Sequence, residues 1–379
     1  MDSRGSAEPI SRDKAYNRIK LRLSMADIAI NLILLLLWAF SCISAAAVDR
    51  IGRYITNDYI AFLAFVTSAG IIYSVISFPL DFYGGYVLEH RFNLSNQTFR
   101  AWIADKAKSA GVGACIGVPV MLAFYFFLKT TGALWWVYFS VFAFFISVFL
   151  ARIAPVVIYP IFYKFKEIES DEVRKAIMGL LEKQGIAIKG IYSFNMSKDT
   201  KKANAGFTGL GKSKRIILSD TLIEKFTPAE IGAVFAHEMG HYRRRHILKG
   251  IVMSTVIIFI SFFLCGESYR LTLALYGYTQ VYDIAALPIL FFYLALFGLL
   301  ITPLSNAVSR RYERAADRYA LEVTGDSGAF ISAMNKLADL NLADREPNPV
   351  TEFLFYSHPS IKKRIAFARD RADSIAKPY

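Results

Sequence analysis

The sequence predicts a mainly α, multi-pass membrane protein with a smaller α+β region at one membrane face. Hydrophobic residues make up 55% of its 379 positions, and the mean hydropathy of +0.36 is too high for an ordinary soluble protein. The apolar residues gather in runs of about 20, the length of a helix that crosses a bilayer. A polar stretch at 155–246 interrupts these runs. None of the three cysteines forms a C-x-x-C pair, so neither a disulfide framework nor a thiolate metal site is indicated.

Six apolar runs are the predicted membrane spans: Ile28–Val48, Ile60–Leu80, Gly111–Leu128, Leu134–Ala154, Ile247–Cys265 and Ala285–Pro303. A signal peptide is the rival interpretation of the first run, because Ala45-Ala46-Ala47 resembles a cleavage site. The apolar core is longer than that of a typical signal peptide, which favours a retained anchor. The predicted domains are a polar N-terminal segment (1–24), a four-span region (25–154) with a linker at 81–110, the α+β region (155–246), a two-span hairpin (247–304) and helical C-terminal residues (305–379).

Basic residues are distributed very unevenly between the two predicted faces. Of the 44 lysines and arginines, 40 fall in segments on the side of the N-terminus. Only Arg50, Arg53, Lys129 and Arg270 lie in the loops of the other side. Cytoplasmic loops carry the excess of basic residues, so the N-terminus, the α+β region and the C-terminus are predicted to be cytosolic. That would be the inner membrane in a bacterium or the endoplasmic reticulum in a eukaryote. The net charge of +13 then reflects topology and indicates no nucleic-acid partner.

The sequence Ala236-His237-Glu238-Met239-Gly240-His241 carries the clearest chemical signal. On a helix, His237 and His241 lie one turn apart, so both imidazoles can reach one metal ion, while Glu238 can touch a water on that metal. Thr227-Pro228-Ala229-Glu230 is a capping box with proline at the first helical position, which predicts a helix that begins here. The pattern is typical of a zinc hydrolase with one Zn²⁺ per chain and Glu238 as general base. A chance match on a charged surface helix is the alternative.

A catalytic zinc site needs a third protein ligand, and Glu313 is the candidate. Two membrane crossings separate it from His241, which returns the chain to the same face. Asp317 follows one helical turn later and could hydrogen-bond the far nitrogen of a ligating histidine. Four arginines surround these two acids, so a solvated charged helix is the competing interpretation. His246 is predicted to face away from His237, towards solvent or lipid headgroups, and no role is predicted for His90.

The stretch Gly206–Ser213 fits the phosphate-binding G-x-x-x-x-G-K-S pattern literally. That motif functions when a strand precedes it and a helix follows, because the helix amides hold the phosphates. Here strand-like sequences lie on both sides, predicted at Ile186–Asn195 and Arg215–Leu218, with a helix at Ser170–Gln184 before them. A hairpin turn is the better interpretation, and no nucleotide partner is expected.

Five ordered motifs together resemble the integral-membrane zinc metalloproteases of the CAAX prenyl protease 1 type. They are the linker ending Asn96-Gln97-Thr98, the pair Lys202–Phe207 and Lys214–Leu222, His237-Glu238-x-x-His241, Glu313-x-x-x-Asp317, and Ser357-His358-Pro359 with Arg364. The resemblance implies a helical barrel that encloses an intramembrane chamber and is capped by the zinc domain. Relatives have seven spans where this sequence shows six.

The resemblance also implies roles for individual residues. Glu313 would be the third zinc ligand, Asn204 and Ala205 would bind the substrate backbone, His358 would stabilise the oxyanion, and Arg364 would support the substrate wall. The expected partners are the bilayer and a peptide or protein substrate, prenylated substrates included. Two alternatives remain: a membrane quality-control protease like HtpX, and a silent scaffold or channel with a structural zinc.

Overall fold

The computed structural model describes residues 11–186, 188–208 and 215–376. The first seven helices in chain order are α1 (Arg12–Phe40), α2 (Ile43–Gly52), α3 (Asp58–Phe82), α4 (Leu88–Arg91), α5 (Phe99–Thr131), α6 (Trp135–Ile153) and α7 (Tyr159–Phe162). The remaining elements are β1 (Phe165–Glu167), α8 (Asp171–Lys183), β2 (Gly190–Phe194), β3 (Ala205–Thr208), β4 (Arg215–Ser219), α9 (Asp220–Lys225), α10 (Pro228–Arg243), α11 (His246–Tyr276), α12 (Leu287–Thr324), α13 (Ser327–Asn341), α14 (Pro349–Phe355) and α15 (Ile361–Ala376). The protein is therefore mainly α, as predicted.

Five helical segments of the described chain are long and apolar enough to cross a membrane: Arg12–Phe40, Asp58–Arg91, Phe99–Phe162, His246–Tyr276 and Ile284–Thr324. The third segment contains two of the six predicted spans, because the chain reverses at Gly132, whose φ is +54°. After the reversal α6 lies beside α5, with the Phe124 ring 5.0 Å from that of Phe139. The six predicted apolar runs thus fall on the five segments.

The first span differs from its predicted bounds. Residues 12–24 gave no helix prediction, yet they form the first turns of α1, and α1 ends at Phe40 rather than continuing to Val48. The Ser41 hydroxyl donates to the Leu37 carbonyl and accepts from the Ile43 amide. A serine that bonds its own backbone competes with the helix, so the chain breaks and restarts as α2.

Aromatic rings hold the membrane helices together. Phe124 of α5 packs edge-on against Trp135 and Phe139 of α6, and Phe139 packs the same way on Phe262 of α11. These residues belong to a buried cluster that also includes Phe62 and residues of α12. Such edge-to-face pairs satisfy the ring quadrupoles without any hydrogen bond, which suits a region surrounded by hydrocarbon.

The polar region forms a four-stranded sheet in the order β1-β2-β4-β3. β2 pairs parallel to β4, and β3 pairs antiparallel to β4, which makes β3 an edge strand. The strand predicted at Ile186–Asn195 is shorter than expected, since β2 begins only at Gly190, and β1 was not predicted at all. The predicted hairpin is wrong in its first strand: β2 runs parallel to β4, and the antiparallel partner is β3, which occupies the first part of the stretch predicted as a turn. Residues 209–214 lie outside the described residues.

The helix α10 is fixed at its start and near its end. The Thr227 side chain accepts from the Glu230 amide, and the Glu230 carboxylate accepts from the Thr227 amide and from Lys336 of α13 at 2.7 Å. Near the other end Gly240 faces α12, where an added Cβ would lie 3.0 Å from the Cα of Ala316. A glycine here allows the two backbones to approach closely, which brings α10 and the C-terminal half of α12 side by side.

The N-terminal part of α1 and the linker after α3 pack on the sheet region. Lys202, which precedes β3, is 2.8 Å from Glu89, and Glu89 also accepts from Tyr16 of α1. The linker residue Leu94 accepts hydrogen bonds from Lys201 and Thr200 through its carbonyl. The linker therefore fixes the segment that leads into the edge strand β3.

Candidate metal centre

Three side chains from two helices converge on one point. The Nε2 atoms of His237 and His241 are 3.1 Å apart, and each lies 3.3 Å from an oxygen of Glu313. Ligands about 2.0–2.1 Å from a tetrahedral metal are separated by about 3.3–3.4 Å, and each of these contacts is close to that spacing. The two histidines meet different oxygens of Glu313, and one ligand atom from each of the three residues lies within 4.8 Å of the others. The close packing of α10 on α12 at Gly240 produces this arrangement.

The polar atoms of this group are not satisfied by the protein itself. Glu313 is buried, and its Oε2 atom has no hydrogen-bond partner among the described residues, although it lies 3.3 Å from His237. A buried carboxylate oxygen without a partner is costly unless a cation neutralises it. Two imidazoles and one carboxylate are the donor set of known catalytic zinc sites, so the residues fit a zinc ion.

Asp317 and Arg364 orient His237 from behind. Asp317 Oδ1 is 2.8 Å from His237 Nδ1, and both of its oxygens accept from the Arg364 guanidinium, at 2.6 and 2.9 Å. Burial lowers the pKa of His237, but the neighbouring carboxylates of Asp317 and Glu313 outweigh that effect and raise it to about 9. A histidine whose Nδ1–H faces a carboxylate presents its Nε2 lone pair to the metal position.

His246 is where the sequence-based prediction is wrong. The prediction assumed that α10 continued through His246, which would have turned the side chain away from the site. Instead α10 ends at Arg243, Arg245 takes a left-handed conformation with φ +57°, and α11 begins at His246. The reversal buries His246 against the site, with its Nδ1 3.1 Å from His241 Nδ1 and its ring stacked 4.4 Å from Tyr312.

His237 and His241 therefore differ in the side chain that contacts the Nδ1 atom of each. His237 is supported by a carboxylate, while His241 is supported by a second imidazole. If His241 ligates through Nε2, its Nδ1 keeps the proton and donates to an unprotonated Nδ1 of His246. Stacking on Tyr312 holds the His246 ring in the orientation that this contact requires.

Glu238 and His358 border the cleft in front of the three ligands. The cleft has a volume of about 400 Å³ and includes, besides the ligands, the residues Glu238, Tyr242, His246, Ile247, Ser309, Tyr312 and His358. His358 Nε2 is 3.4 Å from Glu313 Oε1, and its Nδ1 is 2.9 Å from the Ser357 hydroxyl. Although its side chain is largely exposed, the surrounding protein removes enough water to lower the pKa of His358, and the Glu313 carboxylate opposes that effect. A neutral ring that accepts from Ser357 directs its Nε2–H into the cleft.

The three residues that the resemblance assigned to substrate binding lie in two places. Asn204 and Ala205 are outside the cleft lining, at the start of β3; the Asn204 backbone is bonded to Ser219 in both directions, and its side chain is exposed. Arg364 is buried behind His237 and donates to Asp317, and its support of a substrate wall stays a prediction. Its Nη2 atom also lies 3.3 Å from His237 Nδ1.

Comparisons with known proteins agree with this geometry. Residues 167–372 match the model of peptidase family M48, and residues 3–164 match the CAAX prenyl protease N-terminal model, described as five membrane helices. The chain is 30% identical to CAAX prenyl protease 1 of Saccharomyces cerevisiae, over 94% of this chain and 85% of the relative. It is also 30% identical to the uncharacterized metalloprotease YhfN of Bacillus subtilis, over 93% and 84%.

The fold is shared with a solved structure as well. The crystal structure of S. mikatae Ste24p superposes with a TM-score of 0.83, at 26% identity, over 94% of this chain and 88% of that one. The fold, the family matches and the clustered ligands define an integral-membrane metalloprotease. The chain belongs to peptidase family M48 and is of the CAAX prenyl protease type, with the N-terminal membrane domain of that group.

Proposed function

We propose that this protein is a zinc-dependent endopeptidase that cleaves CAAX-type or similar C-terminal peptides at the membrane surface. The observation that carries the proposal is the convergence of His237, His241 and Glu313 beside Glu238, which lines the same cleft. One Zn²⁺ per chain would occupy the point between the three atoms. Asp317 would fix the tautomer of His237.

Different residues of the chain have different roles in the proposed hydrolysis. A bound zinc ion supplies a Lewis acid that acidifies a water and polarises the scissile carbonyl. Glu238 takes the proton of the attacking water and delivers it to the leaving amine, so that one carboxylate serves as base and then as acid. The Nε2–H of His358 faces the cleft and would donate to the oxygen on which negative charge develops.

The substrate would bind as an additional strand. β3 is an edge strand, and its outer backbone groups are open to pairing with an extended peptide. Ala205 begins this strand and would pair with the substrate backbone, while Asn204, just before it, would bind that backbone through its exposed side chain. Arg364 would contribute through Asp317, by keeping His237 in place, rather than through a substrate contact.

A C-terminal, lipid-bearing peptide is the proposed substrate class because the relative from S. cerevisiae is a CAAX prenyl protease with the same membrane domain. The distribution of basic residues supports a cytosolic position for the N-terminus, the metal centre and the C-terminus. The compartment would be the inner membrane in a bacterium or the endoplasmic reticulum in a eukaryote.

Cleavage of matched farnesylated and plain peptides by the purified protein tests the proposal, with a chelator control for the metal. Glu238→Gln should lower kcat by about 10²–10⁴-fold with its zinc content unchanged, because the base is lost while the ligands remain. Glu172→Gln, the same change at an exposed position of α8, should leave kcat unaltered. Wild-type cleavage by Glu238→Gln would refute the mechanism. Equal rates for farnesylated and plain peptides would favour a general quality-control protease over the CAAX-type substrate.

A further inference from the structure

Arg310 of α12 has no role in the proposed mechanism, yet it is buried only three residues before Glu313. Its Nη1 atom lies 2.6 Å from the Tyr356 carbonyl, 3.1 Å from that of Glu352 and 3.4 Å from that of Phe353. These carbonyls belong to the last turn of α14 and the residue after it. The last carbonyls of a helix have no partner within the helix, and here a buried guanidinium from another helix supplies one.

The chain beyond α14 carries His358 directly into the cleft. On its far side, the Glu352 side chain accepts from the Ser360 amide at 3.3 Å and from Lys363 at 2.8 Å. The loop from Tyr356 to Ser360 is therefore attached at both ends, by Arg310 at the start and by Glu352 at the end. Asn306, one turn earlier on α12, donates to the Leu354 carbonyl at 2.8 Å and reinforces the first attachment.

The His358 side chain itself has little to hold it. It is 60% exposed, and its ring contacts are the Ser357 hydroxyl at 2.9 Å and Glu313 at 3.4 Å. Because the ring is not packed into a core, its position is set by the backbone that carries it. The attachment of that backbone to Arg310 thus determines how far His358 Nε2 lies from the metal ligands.

We propose that Arg310 is a positioning residue for hydrolysis, which places His358 by binding the C-terminal carbonyls of α14; this rests on the oxyanion role of His358 proposed above. Arg310 and Glu313 lie on one helix, so the arginine fixes His358 relative to a metal ligand rather than to a distant part of the domain. Lysine is a poor replacement, since its ammonium is a strongly hydrated charge on a flexible stem, whereas the guanidinium is rigid and more weakly hydrated and so suits a buried site.

The test is a double-mutant cycle between Arg310 and His358 in the purified full-length enzyme. Arg310→Lys should lower kcat by about 10–100-fold, because a displacement of about 1 Å at a catalytic group costs up to about 100-fold. KM, zinc content and thermal stability should change little. In a His358→Ala background, Arg310→Lys should lower kcat no further, since the group that it positions is gone. Arg311→Lys, at the exposed neighbouring position, is the matched control and should leave kcat unchanged.

Asn306→Ala loosens the same attachment without removing a buried charge. It should reduce kcat several-fold, and this reduction should also disappear in the His358→Ala background. If the loss of kcat from Arg310→Lys or Asn306→Ala simply added to that from His358→Ala, the proposal would be overturned. Such additivity would show that the attachment of α14 affects kcat independently of His358. Unchanged kcat in the His358→Ala single variant would instead disprove the oxyanion role itself, and the positioning role of Arg310 with it. A double variant equal to His358→Ala alone supports both.

Discussion

The membrane region and the metal centre are stabilised by opposite kinds of contact. Between α5, α6 and α11, buried aromatic rings pack on one another, and each ring has several neighbours of the same kind. Around the metal centre, the buried side chains are charged, and each depends on one or two named partners, as Asp317 depends on Arg364 and His237. Ring packing is broad and weakly directional, whereas a buried charge tolerates little displacement of its partner.

This difference means that the same size of change should have very different consequences in the two regions. At the metal centre, removing one partner leaves another charge unpaired in a low-dielectric interior. In the membrane cluster, removing part of a ring leaves neighbours that still pack. The substitutions below test this contrast, beginning with the largest expected effect.

Asp317→Asn should produce the largest loss. Removing one partner of a buried ion pair costs about 3–5 kcal/mol in folding free energy, because Arg364 then keeps its charge without a counter-ion. Loss of the carboxylate behind His237 should also weaken zinc binding by about 10–100-fold. Thermal unfolding and competitive chelator titration measure the two effects separately.

A double variant separates charge burial from ligand orientation. Asp317→Asn combined with Arg364→Gln leaves no unpaired charge, so it should recover much of the lost stability while zinc binding stays weak. Recovery of zinc affinity together with stability would show that Asp317 does not act on His237.

Gly240→Ala should force α10 and α12 apart. The new Cβ would meet Ala316 Cα at 3.0 Å and its carbonyl oxygen at 3.1 Å. Overpacking of this kind costs about 1–3 kcal/mol, and the separation should move Glu313 away from the two histidines and weaken zinc binding. Gly250→Ala on α11 is the matched control, where nothing lies within 4 Å of the added Cβ. It should be neutral or slightly stabilising; equal destabilisation by both variants would contradict the close-approach explanation.

His246→Phe should have a smaller, specific effect. The phenyl ring can keep the stacking on Tyr312, but it lacks the nitrogen that faces His241 Nδ1. Loss of such a supporting contact is expected to weaken zinc binding by about tenfold, with little change in stability. Unaltered zinc affinity in chelator titrations would show that the two imidazoles are neighbours without a functional contact.

Phe139→Leu should have the smallest effect, although Phe139 is as buried as His237 and Glu313. It removes edge-on contacts to Phe124 at 5.0 Å and Phe262 at 5.2 Å, worth about 1 kcal/mol of folding free energy. Cleavage by the purified variant should stay within twofold of wild type. A loss of activity comparable to that of Asp317→Asn would remove the contrast between the two regions.

The sequence was informative where the chemistry is local to one helix. His237 and His241 could be assigned to one site because residues four apart on a helix lie one turn apart on the same face. The capping box at Thr227 identified the helix start. Glu313 followed from the even number of spans between it and His241. Asn204 and Ala205 are placed at an edge strand, while their substrate contacts stay a prediction.

Residues whose role depends on a backbone break or a distant partner could not be found in this way. The helical periodicity of α10 was extended beyond Arg243, because nothing marks Arg245 as left-handed, and this concealed His246. Arg310 looked like one of four solvated arginines, since its partners are backbone carbonyls some 42–46 positions away. Backbone acceptors leave no side-chain signature in a sequence.

The two-span hairpin between α10 and α12 also has a consequence for biosynthesis. The histidine ligands are made before α11, and Glu313 follows only after the chain has passed through both membrane helices. A nascent chain that has not been integrated therefore holds an incomplete ligand set. The proposed ligand set is thus completed only after α11 and the first half of α12 have been made, which couples assembly of the site to formation of the membrane hairpin.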